Sequence, residues 1–259
     1  MLINSVILVL REVLEAALLV SVLFAISSHV RCGKRWLLWS LPLGLLGVVA
    51  VASSLETITD SLDGAGQEVL YAGMQLLVYV FLVAVLWCAA CARAAPRGLA
   101  YLMAGATACA ITREGSEIMV YITGFAAAEE HRLAVFAGSA IGAGIGLSLG
   151  VLLFNALVAL KFNLSWIVTL LLVGMIGSGM VMQATMLLQQ VDWLASSKPL
   201  WDSSAFISES SVTGELLYAS LGYEATPSGT QVLLYFLSAI VSGVAYGLSR
   251  VFHRGKGFE

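Results

Sequence analysis

Charged residues are scarce in this chain. Only 11% of its 259 residues are Asp, Glu, Lys or Arg, whereas a soluble domain carries about a quarter. Hydrophobic residues make up 59%, and the mean hydropathy is +0.93, which indicates that a lipid bilayer surrounds most of the chain. The net charge of −3 is too small to indicate a nucleic acid or another strongly charged partner.

The chain also lacks the motifs of ATP-driven and hydrolytic chemistry. It has no phosphate-binding loop, no nucleotide-binding glycine motif, no H-E-x-x-H and no nucleophile–base arrangement. Among four cysteines, Cys88 and Cys91 form one C-x-x-C without a second pair, which favours free thiols over a zinc or redox site. We therefore expect no enzymatic activity and no permanent cofactor.

Long apolar segments are abundant instead. Seven of them reach the roughly 20 residues that span about 30 Å of hydrocarbon as a helix. They cover residues 2–28, 37–55, 69–92, 98–126, 133–160, 163–190 and 229–250. The first carries its charges at its centre, unlike a signal peptide. The sequence predicts an all-α integral membrane protein with seven transmembrane helices in one domain, residues 1–259.

The charges between these segments are asymmetric. The loops on one side hold nine basic residues and one acid, and the opposite loops hold two basic residues and eleven acids. The basic set comprises Arg31, Lys34, Arg35, Arg93, Arg97, Lys161, Arg250, Arg254 and Lys256. Because basic residues stay on the cytoplasmic side, we expect an inner (plasma) membrane protein with its N-terminus outside and its C-terminus in the cytoplasm.

The acidic outer face allows two interpretations. It is either what remains when basic residues are excluded, or a negative funnel that concentrates cations. Glu129 and Glu130 are candidate capture residues for a metal there. In the long outer segment 191–228, leucines near helical spacing predict a short amphipathic surface helix.

Two helices carry charges where lipid is expected. R-E-x-x-E occurs at residues 11–15 and again at 113–117. A charge at the bilayer centre costs about 2.5–3.5 kcal/mol, so intramembrane charges indicate function by default. The first and fourth helices cross the bilayer in opposite directions. We therefore predict an inverted-topology repeat, residues 1–95 and 96–191, with its substrate site near the midplane. The outer loop 192–228 and a seventh helix at 229–250 follow.

Within each motif, positions i, i+1 and i+4 lie on one helix face. Pairing the two faces collects four carboxylates and two guanidiniums with a formal charge of −2. These groups belong to Arg11, Glu12, Glu15, Arg113, Glu114 and Glu117. Carboxylates suit hard cations, whereas the arginines can only balance and orient them. The alternative is a pair of salt bridges that lock the two helices together.

The motifs, REVLE and REGSE, resemble the paired R-E-G-x-E motifs of the oxidase-dependent iron permease (iron/lead transporter) family, whose members span the membrane seven times. The second copy fits fully, and the first has Val13 in place of glycine. Residues 198–236 resemble the family's last outer loop and its seventh helix. The resemblance implies that the four motif glutamates bind iron in transit. It also implies that an extracytoplasmic oxidase, peroxidase or iron-binding partner prepares the iron.

Several further residues are candidates to line the pathway. Tyr71, Gln75 and Tyr79 form a polar stripe on the third helix. Tyr121 flanks the second motif. On the sixth helix, Met182 and Met186 lie on one face together with a third methionine. Ordinary packing is the alternative explanation, and it is the more usual one for a buried tyrosine or methionine in a helix.

Glycines at positions 138, 142, 146 and 150 form overlapping G-x-x-x-G units on the fifth helix. They predict close helix packing. We expect that packing within the bundle, with an oligomer through the Gly138–Gly150 face as the alternative.

The leading hypothesis is a permease that moves iron, Fe²⁺ or Fe³⁺, into the cytoplasm by alternating access. Transport of another cation such as Mn or Pb, an intramembrane enzyme, and a structural subunit with the motifs as salt bridges are the alternatives.

Overall fold

The computed structural model describes residues 1–90, 97–209 and 211–255. These residues form eight helices and one isolated antiparallel bridge between Pro199 and Ser228. The helices are α1 Leu2–His29, α2 Trp36–Ser61, α3 Gly66–Ala90, α4 Arg97–Ala126, α5 Glu129–Ala159, α6 Phe162–Gln190, α7 Val212–Leu221 and α8 Gly229–Gly255. Cys91, Arg93 and Lys256, which entered the sequence predictions, lie outside the described residues.

The seven long helices correspond to the seven predicted apolar segments, and α7 lies where a short surface helix is predicted. Five of the seven long helices are long and apolar enough to cross a membrane, namely α2, α3, α5, α6 and α8. α1 and α4 have 28 and 30 residues, and each carries the three charges of a motif. An all-α fold with several membrane-spanning helices is therefore confirmed.

The two motif helices lie inside the bundle. α1 packs along α5, α4 packs along α2, and the two motif helices also contact each other. α3 and α6 pack together, and α8 lies against both of them. The short α7 packs against the middle of α1, where Leu14 and Leu18 contact Leu216 and Ala219, and against α6. This arrangement turns the charged faces of α1 and α4 towards each other inside the bundle.

The glycines of α5 allow close approach to α1. A Cβ at Gly138 would lie 2.6 Å from the Leu2 carbonyl oxygen, and one at Gly142 would lie 2.5 Å from that of Val6. The predicted close packing within the bundle is thus confirmed. α1 of the same chain covers the Gly138–Gly150 face, the surface that the alternative of an oligomer would use.

We expect Gly142→Ala to destabilise the protein by about 1–3 kcal/mol, the usual cost of overpacking, because the backbone of α1 must move. Gly144→Ala is the matched control, since a Cβ there meets nothing within 4 Å and gains helix propensity of about 1 kcal/mol. Thermal denaturation of both variants in detergent measures the difference. Equal melting temperatures would contradict the close α1–α5 contact.

Candidate cation site between α1 and α4

The carboxylates of the two motifs meet where α1 and α4 cross. Glu12, Glu15 and Glu114 are buried, with exposed fractions of 5%, 1% and 2%. Glu117 is partly buried beside them. The helical spacing of the motifs brings all four residues to the inner faces, so the predicted neighbours lie together in the fold.

Arg113 lies at the centre of these four carboxylates. Its Nη1 is 3.3 Å from Glu12 Oε2 and 3.7 Å from Glu15 Oε2, and it also contacts Glu114 Oε2. Its Nη2 is 3.2 Å from Glu117 Oε2. A single guanidinium thus contacts every motif carboxylate, which its planar fork of donors makes possible.

Arg11 has a different environment. Its Nε lies 3.6 Å from Glu15 Oε1 and also 3.6 Å from Oε2 of Glu215 on α7. Its guanidinium carbon lies 4.0 Å from the centroid of the Tyr218 ring. The Arg11 side chain is 32% exposed, compared with 7% for Arg113. Arg11 therefore joins the motif site to α7.

Both arginines contact the Glu15 carboxylate, but their other partners differ. α7 supplies Glu215 and Tyr218 as competing partners for Arg11. Arg113, in contrast, has all its described ion-pair partners within the two motifs. The six motif residues carry a formal charge of −2, and Glu215 beside Arg11 brings the formal charge of the group to −3.

Three carboxylates are spaced so that they can hold one cation together. One oxygen each of Glu12, Glu114 and Glu117 lies within 4.8 Å of the other two. Glu114 Oε1 is buried and has no hydrogen-bond partner among the described residues. An oxygen-only donor set of this kind suits a hard cation.

The fourth carboxylate, Glu15, is held by residues of other helices. Its Oε2 accepts a hydrogen bond of 3.1 Å from Gln183 Nε2 on α6. The Gln183 side-chain oxygen in turn accepts one from Gln75 Nε2 on α3. Both amides are buried. These two hydrogen bonds link α3 and α6 to the motif site and fix the orientation of Glu15.

Gln75 was predicted from the sequence as a candidate pathway residue, whereas Gln183, Glu215 and Tyr218 were not predicted as site residues. A buried amide within an apolar helix is the sequence feature that could have indicated Gln183. Glu215 and Tyr218 lie in a connection between apolar segments, and their role depends on where α7 packs.

The other predicted pathway residues separate into two groups. Tyr71 belongs near the site, because its hydroxyl accepts a hydrogen bond from Ser116 and its ring centroid is 5.9 Å from the Arg113 guanidinium carbon. Tyr79 donates to the Ser238 carbonyl oxygen at 2.9 Å, and Tyr121 lies 2.8 Å from the Ser5 hydroxyl. These two tyrosines therefore connect helices.

A narrow crevice, too small to hold a water molecule, lies between α6 and α7 beside the site. Met182, Met186 and Tyr218 line it, together with Glu224 and Gln183. Burial and the neighbouring Glu209 carboxylate raise the pKa of Glu224 to about 7. Gln183 connects this crevice to the site, because it also donates to Glu15.

The predicted capture residues Glu129 and Glu130 lie at the start of α5, where both are exposed. Glu130 lies 3.4 Å from His131. The structure does not bring them together with the motif carboxylates.

Val13 has a packing explanation in the structure. Its Cγ1 lies 3.0 Å from where a Cβ of Gly146 on α5 would be. In the second motif the small residue is on the motif helix: a Cβ at Gly115 would lie 2.5 Å from Val48 Cγ2 on α2. Each motif helix therefore faces its neighbour through one valine–glycine pair, with the two residue types exchanged between helices.

This pairing predicts a compensating effect. Gly146→Val should destabilise the protein by roughly 1–3 kcal/mol, and adding Val13→Gly should recover most of the loss. Gly144→Val, on the exposed side of the same helix, serves as the control. Thermal denaturation of the single and double variants completes a double-mutant cycle. Additive losses in the double variant would contradict the exchange.

Comparison of the sequence with known proteins identifies the family of this chain. The model of the Iron permease FTR1 family matches residues 2–253. A comparison with curated proteins found no match, and neither did a comparison with solved structures. The family match spans both motifs and all the long helices that surround them. The family is one of transporters rather than enzymes, which agrees with the multi-pass membrane architecture. The chain belongs to the Iron permease FTR1 family.

Proposed function

We propose that this chain moves iron across the inner (plasma) membrane into the cytoplasm, through a site formed by Glu12, Glu15, Glu114 and Glu117. The observation that carries the proposal is the convergence of these carboxylates from two helices, three of them spaced to share one cation. Iron, as Fe²⁺ or Fe³⁺, is the transported substrate. An extracytoplasmic oxidase, peroxidase or iron-binding protein delivers it.

Arg113 acts in this proposal as a built-in counter-ion. Its contacts involve Glu12, Glu114 and Glu117, the same three carboxylates that a shared cation would use. The arginine and the cation therefore compete for the same carboxylates. This competition limits the affinity of the site, and transport requires binding weak enough for release.

Alternating access requires two halves that move relative to each other. We propose that all seven long helices span the membrane and that α1–α3 and α4–α6 form an inverted repeat. The packing supports this: α1 lies along α5 as α4 lies along α2, and α3 and α6 pair with each other. A two-fold pseudo-axis relates helices in that way. α7 then belongs to the outer segment 192–228, and α8 is the seventh span.

A competition experiment tests the substrate. The purified chain is reconstituted in vesicles, and uptake of labelled iron is measured with an excess of unlabelled Fe²⁺, Fe³⁺, Mn²⁺, Pb²⁺ or Mg²⁺. Iron in one oxidation state should compete most strongly. Stronger competition by Mn²⁺ or Pb²⁺ than by either form of iron would favour the alternative cation transporter.

The contacts of Arg113 also favour a second candidate, in which the motifs are only salt bridges between helices. Glu117→Gln removes one ion pair of Arg113 and one proposed ligand but keeps the shape of the side chain. A purely structural role predicts that any loss of uptake in this variant is accompanied by a lower melting temperature. The transport role predicts a folded protein without iron uptake.

A further inference from the structure

Two long grooves run along the outside of the helix bundle. The first lies between α2 and α5, has α1 and α4 as its floor, and has a volume of about 570 Å³. The second lies mainly between α6 and α8 and has a volume of about 510 Å³. Apolar side chains form most of the walls of both grooves. In a membrane protein, grooves on the outside of the bundle face lipid.

The first groove extends from one membrane surface towards the centre. Helix α1 contributes wall residues from Glu12 to Phe24, a distance of about 18 Å at 1.5 Å per residue. This length is close to half of a hydrocarbon core of about 30 Å, the part that the acyl chains of one leaflet fill. Leu41 and Val151 flank the groove and are partly exposed at 43% and 59%.

A basic side chain stands at the surface end of this groove. Lys34 is exposed in the turn between α1 and α2, and its Nζ lies 5.5 Å from the Phe24 ring centroid and 5.6 Å from that of Phe154. In the described part of the chain, Lys34 forms no salt bridge with a carboxylate. An ammonium group in this position attracts the phosphate of an anionic lipid.

The second groove repeats this arrangement. Arg250 lies at its end, with the guanidinium carbon 5.6 Å from the Tyr246 ring centroid. Arg250 and Tyr246 also lie beside His29 and Val30 at the end of α1, so this end is on the same side of the bundle as Lys34. Two separate grooves therefore combine an apolar wall with one cation at the same membrane surface.

We propose that each groove binds an acyl chain of an anionic phospholipid, with the phosphate at Lys34 in the first groove and at Arg250 in the second. In the first groove the chain end reaches Glu12 and Glu114. Hydrocarbon there closes the lateral side of the carboxylate site and keeps water from that side. Between Lys34 and the two glutamates the walls are almost entirely apolar and offer few ligands to a passing cation, which argues against the groove as an ion path.

Native mass spectrometry of the full chain tests the proposal. The purified protein is exchanged into detergent with phosphatidylglycerol or with phosphatidylcholine of the same acyl chains. We expect up to two retained phosphatidylglycerol molecules and weak retention of phosphatidylcholine. Lys34→Gln should lower phosphatidylglycerol affinity about fivefold, since one basic contact near the surface contributes about 1 kcal/mol.

The second part of the experiment uses a variant that fills the first groove. Val20→Trp places an indole in the middle of its wall and should remove one of the two lipids. Val49→Trp, at an exposed position of α2 outside the groove, is the matched control and should keep both. Lys34→Gln changes an exposed side chain and keeps the test valid if Val20→Trp fails to fold.

Two results would overturn the proposal. One is equal retention of both lipids together with no change in Lys34→Gln. The other is a dimer of the chain that Val20→Trp abolishes, which would make the first groove an interface between copies.

Discussion

Replacing Glu114 with Gln should lower iron affinity and uptake by about 10- to 100-fold, the cost of removing one charged partner in a buried site. Gln keeps the size and hydrogen-bonding capacity of the side chain but removes the negative charge that a cation needs. Glu12→Gln and Glu117→Gln should have effects of the same size, because these residues share the proposed site with Glu114. Glu15→Gln should have a smaller effect, since its oxygens already contact Gln183 and Arg11.

Uptake of labelled iron into vesicles that contain each variant measures these effects. Glu56→Gln is the matched control, because it makes the same chemical change at an exposed position near the end of α2. Its uptake should equal that of the wild type. Near-normal uptake in all four motif variants would show that the carboxylates do not bind iron during transport.

The two arginines should respond very differently to replacement by lysine. Arg113→Lys should reduce uptake at least roughly tenfold and lower the melting temperature, because an ammonium group is a point charge and cannot reproduce the fork that contacts four carboxylates. Arg11→Lys should leave uptake within about twofold. Its Nε contacts are both 3.6 Å long and its side chain is partly exposed, and such pairs contribute about 0–1 kcal/mol.

Uptake and thermal denaturation are measured on the same preparations of both variants. Each variant is the control for the other, since the chemical change and the motif position are identical. Equal effects at the two positions would show that the two halves are functionally symmetric, and would contradict the central position of Arg113.

The proximity of the four glutamates was predictable from sequence for a physical reason. Charges in an apolar helix are costly in lipid, and their i, i+1, i+4 spacing places them on one face, so the charged faces of the two helices must turn inward. The asymmetry of Arg11 and Arg113 was not predictable. It depends on Glu215, which is about 200 residues from Arg11 in sequence and reaches it only because α7 packs on α1 and α6.

The role of Val13 was not predictable for a similar reason. The motif alone does not explain why valine takes the place of glycine at this position. The structure shows that the space is provided by Gly146 on α5. A sequence shows the residue at each position but not which residue of a distant helix faces it. The same limit applies to Gln183, whose hydrogen bond to Glu15 joins residues far apart in the chain.

Binding of iron by the motif carboxylates can be measured by X-ray absorption at the iron K-edge, recorded on the purified chain loaded with iron. The amount of bound iron per chain is measured on the same samples. We expect oxygen ligands without sulfur in the wild type, and loss of most bound iron in Glu12→Gln/Glu114→Gln. Sulfur ligands, or the same spectrum and the same amount of bound iron in that double variant, would contradict iron binding by these carboxylates.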